Sequence, residues 1–425
     1  MNLDLSSVRC LLTTGLLMFS VLCVAQRSTH KAVGAMGANP TGGLSSPVTR
    51  AEQIGEIEEK MGRVHQFLES QNLGGVLITQ IRNFSWITAG IADNHIVITS
   101  ENGASSLLIM RDGKKYVIAA NSEIPRLMTE DLKGLGYEPR EFKWYTGRTL
   151  EITREIAGSQ TIGSDVPMPG LKDVNLSPLR YQLKPSEIKK YRWLGRQCTE
   201  AVIAVIHQIR PGMSERTIEA LTSDQLMRRG IRPTVLLIGS DDRIRHFRHV
   251  PPSDARVKKY AMVNICARKW GLVIAVTRFV HFGPLPEDLA RKIKVAATVN
   301  AQYMAHSTPG AKAGDILEMA KTWYAENGYP GEWEEHHQGG AIGYGERDWV
   351  ALPGSTETIH ENQGFAWNPT VQGAKMEDTI LAFGDYVENI TETPGWPTIS
   401  TTIEGKIYRG PDILIMTETG KGRTR

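Results

Sequence analysis

The chain has 425 residues, 41% of them apolar and 22% charged, the profile of a globular protein too long for one ordinary core. With 49 basic against 46 acidic residues the net charge is +3, and basic runs are no longer than pairs such as Lys258-Lys259. That balance excludes whole-chain attraction to nucleic acid or an anionic membrane, and four cysteines are too few for a disulfide scaffold.

The first elements concern export. Arg9 precedes an uncharged, mostly apolar stretch from Cys10 to Ala25, and Cys23-Val24-Ala25 suits cleavage before Gln26. Residues 1–25 therefore read as a signal peptide, too short for a comfortable bilayer span. The expected location is periplasmic or secreted, with no membrane attachment after cleavage. Residues 26–50, rich in Gly, Ser, Ala and Pro, read as a flexible tether. Cys10 and Cys23 leave with the signal, and Cys198 and Cys266 both fall inside regular elements.

Residues 51–182 read as an α/β unit. Glu56 to Gln71 has helical periodicity, with Met61, Val64, Phe67 and Leu68 on one face. Strands are expected at 76–79, 96–99, 106–109 and 115–118, with Asp112-Gly113 as the turn between the last two. Leu183-Lys184-Pro185-Ser186 marks a boundary, with Ser186 as the expected cap of the next helix.

Residues 183–425 contain a repeat. Pro211-Gly212 opens a helical stretch that closes at Gly230, and Pro309-Gly310 opens another that closes at Gly328. Ile218 and Ile316 occupy the same offset. Each helix precedes apolar strands, at 261–266 and 272–276 in one half and 364–367 and 378–381 in the other. Gly271 and Gly373 suit tight turns between them. Repetition of a whole unit points to duplicated α+β half-domains with a site between them.

Four stretches carry a family resemblance: Leu183-Lys184-Pro185-Ser186-Glu187-Ile188, Pro211-Gly212 with Glu215, the strand ending Val276-Thr277-Arg278, and Lys375-Met376-Glu377-Asp378-Thr379. In these the chain resembles the creatinase and aminopeptidase P family of pita-bread hydrolases. The resemblance implies an α+β fold. Its C-terminal pita-bread domain would have duplicated half-domains around a curved antiparallel sheet, after a smaller α/β creatinase-type N-terminal domain. It also implies a homodimer.

Peptidases of that family hold two metal ions with two Asp, one His and two Glu. Carried over position by position, these fall on Asn264, Ala275, Gly340, Asn368 and Glu377, and only Glu377 keeps the family residue. Two amides, a methyl and a hydrogen do not replace three anions and an imidazole, so neither a metal nor another cofactor is expected. Two further family histidines persist as His249 and His336, and a third falls on Arg347. Creatinase, which works without metal, is similar in using a His as proton carrier. Ala275 stands where its substrate-binding carboxylate would be, which argues against creatine itself.

The expected roles follow. His249 is the general acid/base, His336 a relay, Glu377 the group that orients His or substrate, and Asn264, Arg278, Asn368 and Arg347 hold polar groups of the substrate. Each has a plainer alternative: a loop histidine, a structural hydrogen bond, or an ion pair of Glu377 with Arg278 or Lys375. Glu334-Glu335-His336-His337 could invite a metal, but on a strand adjacent histidines face opposite sides, so only one would serve a given site. Cys266 reads as a small buried apolar residue rather than a nucleophile. Trp270, Trp349 and Trp367 could wall a pocket, although each fits core as well. Neutralising the cage should leave a roomy polar pocket. The preferred expectation is a metal-independent hydrolase of a C–N bond in a small amide- or amidino-type substrate. The alternatives are a Xaa-Pro aminopeptidase-like metallopeptidase and a non-catalytic protein binding a small molecule or peptide.

Overall fold

The computed structural model describes residues 45–417. The expected signal peptide, most of the expected tether and residues 418–425 lie outside them. Among the described residues no helix is long and apolar enough to cross a membrane.

The first helix, Arg50–Ser70, starts six residues earlier than the periodicity predicts. Thr49 and Glu52 form a reciprocal capping box there: Glu52 N–H donates to Thr49 Oγ1, and Thr49 N–H to the Glu52 carboxylate. Behind it lies a six-stranded mixed sheet in the order Glu138–Phe142, Lys115–Ala120, Asn102–Met110, Gly75–Gln80, Ile162–Ser164, Lys172–Asp173. Gly75–Gln80 is central because its Val-Leu-Ile run is apolar on both faces and fully buried. Asp112-Gly113 makes the expected turn, with Gly113 at φ +90°.

The expected strand at 96–99 does not form. Ile96, Val97 and Ile98 are 54%, 61% and 68% exposed in an irregular loop. The buried Asn94 side chain donates to Thr79 O and Ser105 O, and the Asn94 backbone carbonyl accepts Ala104 N–H. These bonds hold the start of the loop at the sheet edge and turn the following residues outward. Apolar β-branched sequence alone could not reveal that anchor.

After residue 184 the chain folds as two similar halves. The first has helices Pro185–Ile206 and Glu215–Met227, and the second has Glu287–His306 and Ala313–Glu326. The repeat seen in the sequence is structural: Gly212 at φ +90° donates to Val257 O, and Gly310 at φ +93° donates to Ile359 O. The first helix is not capped by Ser186. Pro185 occupies its first turn, the Glu187 carboxylate accepts Lys184 N–H, and Ser186 Oγ donates to Glu56 instead.

The two halves contribute one antiparallel sheet each. Strands Arg232–Ser240, Tyr260–Lys269 and Leu272–Phe282 run antiparallel, and Leu414–Met416 joins Leu272–Phe282 in parallel. The second sheet runs Trp349–Val350, Gly339–Ala341, Gln363–Trp367, Ile380–Phe383, Tyr386–Asn389. Backbone bonds from Val273 N–H to Gly343 O and from Thr277 N–H to Glu377 O tie the sheets along Leu272–Phe282. One core packs Tyr191, Leu194 and Val202 of the first helix with Ile265 and Val276. The other packs Val299, Tyr303 and Tyr324 with Phe365 and Trp367. Each such side chain contributes about 1.5–3 kcal/mol by leaving water. This is the α+β pita-bread arrangement with an α/β layer before it.

The described residues belong to one compact unit. A solvent-free ion cluster crosses it: Lys60 Nζ lies 2.8 Å from Glu187 and pairs with Glu56, Lys190 pairs with Glu56, and Tyr344 donates to Glu187. It joins the first helix to Pro185–Ile206 and to the loop carrying Tyr344.

Candidate functional site

Glu377 lies between the short strand Ala374–Lys375 and Ile380–Phe383, where its backbone closes the seam with Thr277. One carboxylate oxygen accepts from Thr277 Oγ1 at 2.9 Å and from Asn264 Nδ2, and pairs with Lys375 Nζ at 3.1 Å. The other meets Arg347 Nη2 at 3.3 Å. Burial alone would push this carboxyl up, but Lys375 and then Arg347 outweigh it and hold Glu377 at about 2. It is a permanent anion, suited to orienting and charge balance and not to carrying protons near neutrality.

Asp378 has separate partners and pairs with Arg278 at 2.8 Å. Here the substrate-binding role expected of Arg278 is overturned. Its guanidinium is buried and its N–H groups go to Thr277 O, Asp378, Thr391 O and Thr393 Oγ1. A fully engaged arginine of this kind locks the strand seam and has no donor to offer a substrate.

His249 follows the short helix Asp242–His246, in a loop pinned by Arg248, which pairs with Glu332 at 2.7 Å and donates to Thr370 Oγ1 at 2.9 Å. His336 and His337 follow the 3-10 turn Glu332–Glu334. Gln338 braces them: its amide donates to His336 O, while its oxygen accepts from Tyr324 and Tyr303. His336 Nε2 lies 3.0 Å from His249 Nε2, so one ring donates to the other. His336 is buried, and His249 and His337 are exposed.

The expectation that only one of His336 and His337 could reach the site is wrong. The pair is not in a strand, so the alternation of faces does not apply. Their rings stack at 4.4 Å and 27°, and donor atoms of His249, His336 and His337 lie within 4.8 Å of one another. All three stay neutral below the usual histidine range. Burial and then Lys375 bring His336 to about 2, burial and then Arg347 bring His337 to about 4, and burial with Lys375 lowers His249.

The remaining family-ligand positions have other duties. Ala275 packs with Cys266, Val273, Ile342 and Ala366 in a small apolar cluster. At Gly340 a Cβ would sit 2.3 Å from Trp349 O, so the backbone has closed over the place of the family's imidazole. Asn368 N–H donates to Gln338 O, while its side-chain oxygen is buried and unpartnered. One carboxylate already held by two cations, beside an apolar cluster, does not fit a pair of divalent ions.

The spot is more crowded than the roomy polar pocket expected there. Asn264, Asn368, Lys375 and Glu377 are all buried, and Lys375 and Arg347 both pair with the carboxylate. Solvent meets the site at His249 and His337. Cys266 is buried, its thiol pushed up to about 12 by burial, which removes it as a nucleophile. Trp367 is core, stacked on Tyr303 at 4.6 Å, and Trp270 packs tilted against Trp193 with ring centres 5.0 Å apart.

The structure thus brings together Asn264, Glu377, Arg347, His249 and His336, with Asn368 following the strand that lines them. Lys375 and His337 were missed as site residues. The signals were present, in the Lys-Met-Glu-Asp run and in the paired histidines.

Residues 189–383 match the profile of metallopeptidase family M24. Among curated proteins the chain is similar to an agropine synthesis cyclase from Rhizobium rhizogenes, 25% identical over 267 residues. That match spans 57% of this chain and 65% of the relative, less than two-thirds of its length. Among solved structures it is similar to the prolidase from Pyrococcus horikoshii OT3, with a TM-score of 0.65, 19% identity, and coverage of 79% of this chain and 98% of that one. It is also similar to dipeptidase PepE from Mycobacterium ulcerans, with a TM-score of 0.67, 15% identity, and coverage of 86% and 99%. These matches bear out the family resemblance and the fold.

Proposed function

We propose that this chain is a hydrolase of a C–N bond in a small amide-type substrate that carries an anionic group, working without the two-metal centre of its fold family. The observation that carries this reading is the charge of the site. Lys375 and Arg347 flank the lone Glu377 carboxylate, leaving one net positive charge where a metal cage would be net negative before loading. Such a site favours a carboxylate-bearing amide over a cationic amidino compound.

Water is the nucleophile. His249 takes a proton from it as the oxygen attacks the carbonyl carbon, and His336 shares the imidazole hydrogen bond that orients His249. Arg347, whose Nε–H is buried without a partner, faces the developing negative charge on the carbonyl oxygen together with the Lys375 ammonium. The C–N bond then breaks, and His249 returns its proton to the leaving nitrogen. Atoms balance: one water is consumed, an acid and an amine are released.

The test uses chelator-stripped full-length protein against a panel of N-acyl amino acids, dipeptides and amidino compounds. Turnover of an anionic amide, lost by a factor of about 10²–10⁴ in His249→Ala, is the expected result. Hydrolysis that appears only on adding Mn²⁺ or Co²⁺ would support the aminopeptidase-like reading instead. A ligand that binds and returns unchanged, indifferent to His249→Ala, would support the binding protein.

A second reading rests on the match to a cyclase. The same groups could take a proton from a hydroxyl or amine of the substrate itself and close a ring, releasing a water. Product mass separates the two, because hydrolysis adds one water and ring closure removes one.

A further inference from the structure

We infer that His249, His336 and His337 form a site for a single borderline transition-metal ion such as Zn²⁺, built from side chains at none of the five family ligand positions.

Three nitrogen donors within 4.8 Å are close to a ligand set. Imidazole nitrogens bound to zinc at about 2.0–2.1 Å sit about 3.4 Å apart in a tetrahedron, and the Nε2 atoms of His249 and His336 are already 3.0 Å apart. From separations of up to 4.8 Å, the third donor must close by up to about 1.4 Å on the same geometry. His337 and His249 are the exposed members of the set, so the closing movement falls to them. His336 is 8% exposed and its Nδ1 has no partner, which makes it the buried anchor of the set. Its backbone carbonyl is braced by Gln338, itself held by Tyr303 and Tyr324.

The donor chemistry sets the choice of ion. The family's cage is four carboxylates and one imidazole, suited to Mn²⁺ and other oxygen-seeking cations. Three neutral imidazoles without a carboxylate favour Zn²⁺, Ni²⁺ or Cu²⁺. Burial lowers all three rings from the usual histidine value, which favours the free lone pairs a metal needs. Lys375 and Arg347 oppose a second positive charge, Glu377 offsets one of them, and the open fourth position would take hydroxide or chloride.

The inference is independent of the proposed reaction, because binding can be measured without turnover. An ion on His249 Nε2 would occupy the lone pair that the proposed proton transfer uses, so zinc loading should stop it. Stripped full-length protein is titrated calorimetrically with ZnCl₂ and, separately, MnCl₂, and its Co²⁺ form is examined for a visible tetrahedral absorption band.

One Zn²⁺ per chain is expected, with Mn²⁺ weaker by about a hundredfold. The exposed-site variant His337→Ala should bind zinc at least about tenfold more weakly while keeping the wild-type unfolding midpoint. His249→Ala should do the same, so the result does not depend on His336 variants folding. No saturable zinc binding, or affinity unchanged in both variants, overturns the site, as do two Mn²⁺ ions per chain bound more tightly than zinc. Zinc-loaded protein that turns over faster than stripped protein leaves the site standing and sinks the metal-free reaction. Turnover by stripped protein with no zinc binding does the reverse.

Discussion

Lys375 Nζ stands 3.1 Å from Glu377 Oε2, so a covalently attached cation serves the one carboxylate that remains from the family's ligand set. Both side chains are buried, and Arg347 approaches the second oxygen from the other side. Two protein cations surround the carboxylate that two metal ions would otherwise share.

Removing one partner of this pair should cost more than removing both. Lys375→Met leaves a buried carboxylate with Arg347 alone and should destabilise by roughly 3–5 kcal/mol, as breaking buried pairs does. The double variant Lys375→Met, Glu377→Gln should recover a large part of that loss. Urea denaturation of the four proteins in the cycle checks it, and simple additivity would show that the pair is not coupled.

The same carboxylate makes the protein acid-sensitive. Glu377 titrates at about 2 in the folded state against an ordinary 4.5, so its contribution is fully present above the ordinary value and fades as pH falls from there toward 2. The amount at stake is on the order of 3 kcal/mol. Denaturation midpoints measured between pH 6 and pH 3 should fall steeply below about 4.5 in the wild type. Glu377→Gln should show a shallower fall.

Restoring a family ligand should not restore a metal. In Gly340→His the new Cβ would lie 2.3 Å from Trp349 O, a backbone atom that cannot rotate away. The expected outcome is a loss of about 1–3 kcal/mol from overpacking. No Mn²⁺ should be gained by elemental analysis. A stable, Mn²⁺-loaded variant would show that the strand can reopen.

Lys60 should matter far from the cleft. It pairs with both Glu56 and Glu187 in a cluster with no solvent, and donates to Trp86 O. Lys60→Met leaves Glu187 without a cation and Glu56 with Lys190 alone, and should lower stability by roughly 3–5 kcal/mol. Lys189→Met, which removes an exposed, solvent-screened pair with Glu52, should leave the midpoint nearly unchanged. Paired thermal or urea melts decide the comparison.

Local and periodic features were legible in the chain itself. The Pro-Gly openings, the closing glycines and the apolar runs of the two halves depend only on nearest-neighbour backbone geometry, and they predict the duplicated fold. The substitutions at Asn264, Ala275, Gly340 and Asn368 were equally plain, because they are statements about residue type. The strand expected at 96–99 failed because Asn94, a single buried amide, holds the neighbouring sheet edge. Arg278 was assigned to a substrate because a cation beside a site looks available until its donors are counted.

The sequence by itself determined the architecture and the depletion of the old ligand set, since both follow from residue identity and spacing. Only the tertiary structure decided what replaced that set. Lys375 comes from two residues before Glu377, Arg347 from a loop thirty residues earlier, and His249 from the other half of the repeat. Charge pairing and ligand geometry act through space over a few ångströms, and no spacing along a chain reveals which distant side chains will meet.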